Sequence, residues 1–194
     1  MKNRITAVIA FALIALASSK VGATNILVNP GFEAGDLSSW TVGAGAVPEP
    51  WNVTSAESQA GSYSATAIGN IQLFQSFAPI AVADILEVSI WLFMPGGSPS
   101  IAAISFNYSD LSTEQNIVDV GTDWSKFELT SFLDVGKFLT GFGVYGCSGC
   151  AGESRTYVDS ALVDTQNSPV PVPATLALFG LGLAGLGWSR RKKA

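Results

Sequence analysis

The sequence contains no histidine. That absence excludes Ser-His-Asp and Cys-His catalysis, His-ligated zinc and imidazole general bases. Positive charge is nearly as scarce where it would matter. Of ten basic residues, Lys2, Arg4 and Lys20 lie near the start and Arg190, Arg191, Lys192 and Lys193 at the end. Residues 24–167 keep only Lys126, Lys137 and Arg155 against all fifteen acids, a formal charge of −12. Such a surface repels phosphate backbones, so no nucleic-acid partner is expected for this region. Also absent is any stretch of that region with a sustained helical period.

The long apolar runs are confined to the two ends. Lys2 and Arg4 precede the unbroken run ITAVIAFALIALA, and Val21-Gly22-Ala23 is a small-residue site of the A-x-A kind. This pattern is read as a secretory signal peptide over 1–23, because the run is shorter than the ~20 residues of a span. Cysteine occurs only as Cys147 and Cys150, in the Gly-rich YGCSGCAGES. One C-x-x-C supplies too few ligands for structural zinc, and a redox pair would open a helix after a strand. In an exported chain the plainer expectation is a Cys147–Cys150 disulfide stapling a loop.

From Asn25 to about Asp164 short alternating or apolar runs are cut by Gly, Pro, Asn and Ser, a β texture. Strands are expected at 26–28, 62–68, 71–77, 86–94, 101–108, 116–120, 126–130, 139–145 and 157–163. Their spacing predicts an antiparallel β-sandwich over 24–165. In LEVSIWLFM, alternation sends Leu86, Val88, Ile90, Leu92 and Met94 inward and Glu87, Ser89, Trp91 and Phe93 outward. Trp91, Phe93 and also Trp51 are therefore candidate sugar-stacking residues, with coverage by a loop or neighbouring strand as the alternative for the outward face. Phe32, Trp40 and Trp124 read as core.

Five short motifs then follow one another in order: NILVNPGFEAGDLSSW with Asn29, Gly31, Phe32, Glu33 and Trp40; AGSYSATA; LFQSF; GTDWSKFELT; and RTYVDSALV. Together they resemble the galactose-binding-like jelly rolls that include many carbohydrate-binding modules. The resemblance implies an all-β jelly-roll sandwich that binds polysaccharide without catalysis. It also implies that Glu33 and Asp159, from the first and last parts of the domain, help hold a structural calcium ion, a hard cation suited to oxygen ligands. A carboxylate-pair hydrolase is the minor alternative, and nothing in the sequence pairs Asp110, Glu114, Asp119 or Asp123 at the required spacing. A purely structural matrix component is the other.

The last residues read PVPATLALFGLGLAGLGWSRRKKA. Gly180, Gly182 and Gly185 have the G-x-G-x-x-G spacing, but no acid follows ~20 residues on, which removes the dinucleotide reading. Ala174 to Trp188 is apolar apart from Thr175 and precedes four bases, yet fifteen residues reach only about 22 Å of a ~30 Å hydrocarbon core. A short Pro motif, a small-residue-rich apolar helix over 174–188 and a terminal basic cluster resemble the PEP-CTERM sorting signal of Gram-negative bacteria. Pro171, Val172, Pro173 and Ala174 stand at its motif, with Val172 where the family usually has Glu. The resemblance implies an exosortase-type processing partner, transient membrane attachment, and delivery to the cell surface or extracellular matrix. Residues 166–170 form a polar, Pro-containing linker ahead of it.

Overall fold

The computed structural model describes residues 23–44, 47–96, 100–146 and 155–166. The leader, the Cys147–Cys150 pair and the 171–174 motif with its apolar run lie outside the described residues. One compact unit spans Ala23–Gln166. Its strands are β1 (Ala23–Asn25), β2 (Thr41–Val42), β3 (Glu49–Thr54), β4 (Ser64–Ile68), β5 (Gln72–Ala81), β6 (Ile85–Phe93), β7 (Ile101–Tyr108), β8 (Thr113–Asp119), β9 (Ser125–Glu128), β10 (Phe138–Tyr145) and β11 (Arg155–Gln166). They form two antiparallel sheets. The six-stranded sheet runs β3-β4-β11-β6-β9 with β1 on the far part of β11, and the five-stranded sheet runs β2-β5-β10-β7-β8. No α-helix occurs among the described residues.

The inner faces meet in one core of Leu73, Ile90, Leu92, Met94, Ile104, Phe106, Phe142 and Val144, all essentially without solvent contact. Alternation along β6 works as expected from Val88 to Met94, whose inward side chains are fully buried. It fails at Leu86, which is 48% exposed, while Ile85 is buried instead. The register between β6 and β11 shifts at Asp164/Thr165, and a bulge there moves the strand's first residues out of phase.

Two strands had no sequence signal. β2 has two residues, and β3 (EPWNVT) carries a proline and no clean alternation. The expected strand 26–28 lies just beyond β1. There the Asn25 side chain replaces the ladder: its Oδ1 accepts from the N–H groups of Leu27 and Val163, and its Nδ2 donates to the Ala161 carbonyl.

The segment after it is a self-capped turn. Asn29 and Phe32 adopt positive φ of 51° and 59°. The Asn29 side chain accepts from Ala34 N–H and donates to the Asp36 carbonyl, supplying the local bonds that let Asn tolerate this conformation. Phe32 and Trp40 are thereby folded into the core as expected, their rings 5.5 Å apart. Gln75, in the middle of LFQSF, is a buried polar residue that ties this first loop to β5. Its side-chain amide both accepts from Val28 N–H and donates to Val28 C=O.

Candidate functional site

The outer face of the six-stranded sheet carries two of the aromatic residues singled out above, Trp91 and Phe93. Trp91 stands opposite Lys126 on β9 and Asp159 on β11. It is half-buried and lines an open cleft of about 400 Å³ together with Asn25, Pro30, Ser89, Lys126 and Leu162. The polar wall is organised around one cation. Lys126 Nζ lies 2.8 Å from Glu87 and also contacts Glu128, while Ser89 Oγ donates to Glu87. The Lys126 ammonium and the Ser89 hydroxyl hold the Glu87 carboxyl below its usual range, and the two glutamates, Glu128 foremost, raise Lys126. Ring face, hydroxyl, carboxylates and ammonium at one surface suit a neutral, hydroxyl-rich ligand.

Phe93 shares that face but stands differently. It lies between Tyr157, stacked at 5.4 Å, and Trp124, tilted at 5.6 Å. Trp124, expected in the core, is instead part of this outer row. Phe93 is thus partly covered by neighbouring side chains, as its alternative reading anticipated. Trp51 is a correction. It is only 4% exposed, belongs to the core cluster, and donates its indole N–H to the Ile71 carbonyl at 2.7 Å. Neither ring face is open to a sugar.

Glu33 and Asp159 both bond to one feature, the loop before β4. Asp159 Oδ2 accepts from the N–H groups of Gln59 and Ala60, and Oδ1 from Ser160 N–H. Glu33 accepts from the N–H groups of Ser62 and Tyr63. Between these pairs sits Gly61, at φ +69°, where a Cβ would run into the Glu33 carboxylate. Burial pushes the Asp159 carboxyl up, against the pull of its N–H donors.

A calcium ion takes six to eight oxygens. The two acids present their oxygens to amide N–H groups. The described donor set therefore fits an amide-bound carboxylate pair better than a calcium cage. Millimolar calcium is expected to leave the melting temperature unchanged within scan error; a rise of several degrees would show that the acids are ligands.

The opposite outer face had no sequence signal. On the five-stranded sheet, Gly143 of β10 stands between Phe74 of β5 and Ser105 of β7. A Cβ there would meet Phe74 Cβ at 2.7 Å, so the position leaves a bare floor between strands. Half-buried Phe74 and Tyr145 flank it, and Gln72 Nε2 donates to Ser105 Oγ at 2.9 Å. The result is a polar strip edged by two rings. The acids weighed for hydrolysis are differently engaged: Asp110 is held by Ser112 and Lys137, and Glu114 by Tyr108 and Asn116.

The fold is shared with carbohydrate-binding modules. TmCBM61, solved with beta-1,4-galactotriose, matches with a TM-score of 0.54 at 18% identity, over 74% of this chain and 99% of its own. The CBM22-1 xylan-binding domain of Paenibacillus barcinonensis Xyn10C matches with a TM-score of 0.55 at 16% identity, over 77% of this chain and 100% of its own. The enzymatically active domain of bacteriophage CBA120 tailspike protein 4 matches with a TM-score of 0.55 at 12% identity, over 74% of this chain but 21% of its own. Comparison with curated proteins finds no match. Residues 169–192 match the PEP-CTERM protein-sorting motif. The chain is thus a jelly-roll β-sandwich followed by a PEP-CTERM sorting signal, the mark of a protein exported to the cell envelope.

Proposed function

We propose that this protein is a non-catalytic module that associates with extracellular polysaccharide after exosortase-type processing delivers it to the cell surface or matrix. The observation that carries the reading is Trp91, a ring in an open cleft beside the Glu87–Lys126–Glu128 row. A glycan ring stacks on the indole while the flanking groups bond its hydroxyls. The surrounding charge of −12 favours neutral glycans over uronate polymers. Retention on neutral β-glucans, galactans and xylans tests this. Trp91→Ala is expected to weaken binding by about 5- to 150-fold, the equivalent of 1–3 kcal/mol, with little change in stability.

A second reading places the glycan on the five-stranded sheet, and the bare floor at Gly143 between Phe74 and Tyr145 favours it. In that case Phe74→Ala abolishes retention and Trp91→Ala does not. Retention that neither variant changes would place the glycan on another surface, and no retention of any glycan would leave the protein a matrix-assembly component without a sugar site.

A further inference from the structure

Seven large hydrophobic side chains are exposed among the described residues: Val28, Leu86, Leu111, Ile117, Phe132, Val135 and Phe138. Five of these, Leu86, Leu111, Phe132, Val135 and Phe138, gather at one end of the sandwich. Phe138 opens β10 opposite Ala81, and Ile85 opens β6 opposite Thr165. At the same end Ala23 pairs with Gln166, so the folded unit's first and last strands both terminate there. Two turns form the tip. Ser109 N–H donates to the Phe138 carbonyl, and Lys137 draws in Asp110 at 3.5 Å, Asp134 at 2.8 Å and the Ser112 hydroxyl. The charged groups of both turns are thereby collected around one ammonium. Their apices are Leu111, 93% exposed, and Val135, 92% exposed. Folding alone does not call for two nearly bare aliphatic apices at one end.

We propose that this end of the sandwich is a membrane-contact surface, its apolar apices seated in the headgroup region of a bilayer. The inference rests on the reading of residues 174–188 as a membrane-held segment. Ala174 follows Gln166 by eight residues, which limits the tether to about 28 Å even when fully extended. The chain leaves the folded unit at Gln166, at this same end. Leu, Val and Phe there enter the interface without a cation, as apolar insertion does. The acidity of the unit makes a zwitterionic surface the better partner, and anionic lipid is expected to weaken the contact.

The test uses the full chain in vesicles of phosphatidylethanolamine and phosphatidylcholine. Val135→Cys carries an environment-sensitive fluorophore, with Asn70→Cys in the exposed turn at the other end as reference and the parent chain as blank. Flotation with the vesicles reads the tail. The expected result is flotation of every variant, with a blue shift and quenching by shallow spin-labelled lipid at position 135 but not at 70, and loss of that shift on adding Leu111→Asp and Phe138→Asp. A chain that does not float overturns both the anchoring and the contact. A floating chain whose position 135 stays in water, or a shift that survives the two aspartates, overturns the contact alone. A shift that needs no lipid and grows with protein concentration also overturns it, in favour of a second copy.

Discussion

Replacing Asp159 by Ala is expected to lower the melting temperature of the folded unit by roughly 10 °C, from a loss of about 3–5 kcal/mol. The carboxylate has no solvent exposure and accepts from the backbone N–H groups of Gln59, Ala60 and Ser160 at 2.8, 3.0 and 2.6 Å. Ala leaves those donors without their acceptor in a site that water reaches poorly, so each contributes a desolvation cost that the wild type avoids. Asp159→Asn separates shape from charge. Its oxygen replaces one acceptor, while its amide nitrogen faces a backbone donor, so its loss should be intermediate. The pH dependence follows from burial, which raises the Asp159 carboxyl above its ordinary 3.8. The folded state then takes up this proton before the unfolded chain does. Wild type therefore gains stability relative to Asp159→Asn as pH falls from the raised folded value to 3.8, and the difference is constant below that. Urea unfolding of both proteins across that interval measures it. A gap that narrows on acidification would mean that the N–H donors outweigh burial.

How much of this was legible differs from residue to residue for physical reasons. Val88, Ile90, Leu92 and Met94 were readable because a half-buried strand imposes a period of two. Leu86 was misread because a bulge is a two-strand property: the shift at Asp164/Thr165 is invisible from either strand alone. Phe32 and Trp40 were readable as large apolar groups that a small sandwich buries, a ground that failed for Trp124. Glu33 and Asp159 were brought together by family resemblance, but the resemblance implied a cation between them, whereas the amides of 59–63 face both carboxylates. The Phe74–Gly143–Tyr145 strip needs registers across two strand pairs, and no local pattern records them. The apolar tip is the same case, since Leu111 and Val135 lie in separate turns that only the fold ties together, through Lys137 and its partners Asp110 and Asp134.

Trp51→Ala should show the opposite signature to Trp91→Ala. Trp51 lies in EPWNVT, where a proline and mixed flanks hide which face the indole takes, and the sequence reading made it a candidate surface ring. In the structure it is 4% exposed and packed in the core cluster. Truncating a buried tryptophan costs about 3–5 kcal/mol through lost apolar burial and the cavity left behind. The hydrogen bond adds little to that loss, because the Ile71 carbonyl also accepts from Gly146 N–H at 3.1 Å and is not orphaned when the indole goes. The expected result is therefore a melting temperature lowered by roughly 10 °C with the glycan affinity of the folded fraction unchanged. Trp91 stands on the outer face and leaves the core intact, so its removal should reduce retention and spare stability. Measuring both quantities on both variants separates the two tryptophans. Equal loss of binding in Trp51→Ala at temperatures where it is fully folded would return it to the ligand surface.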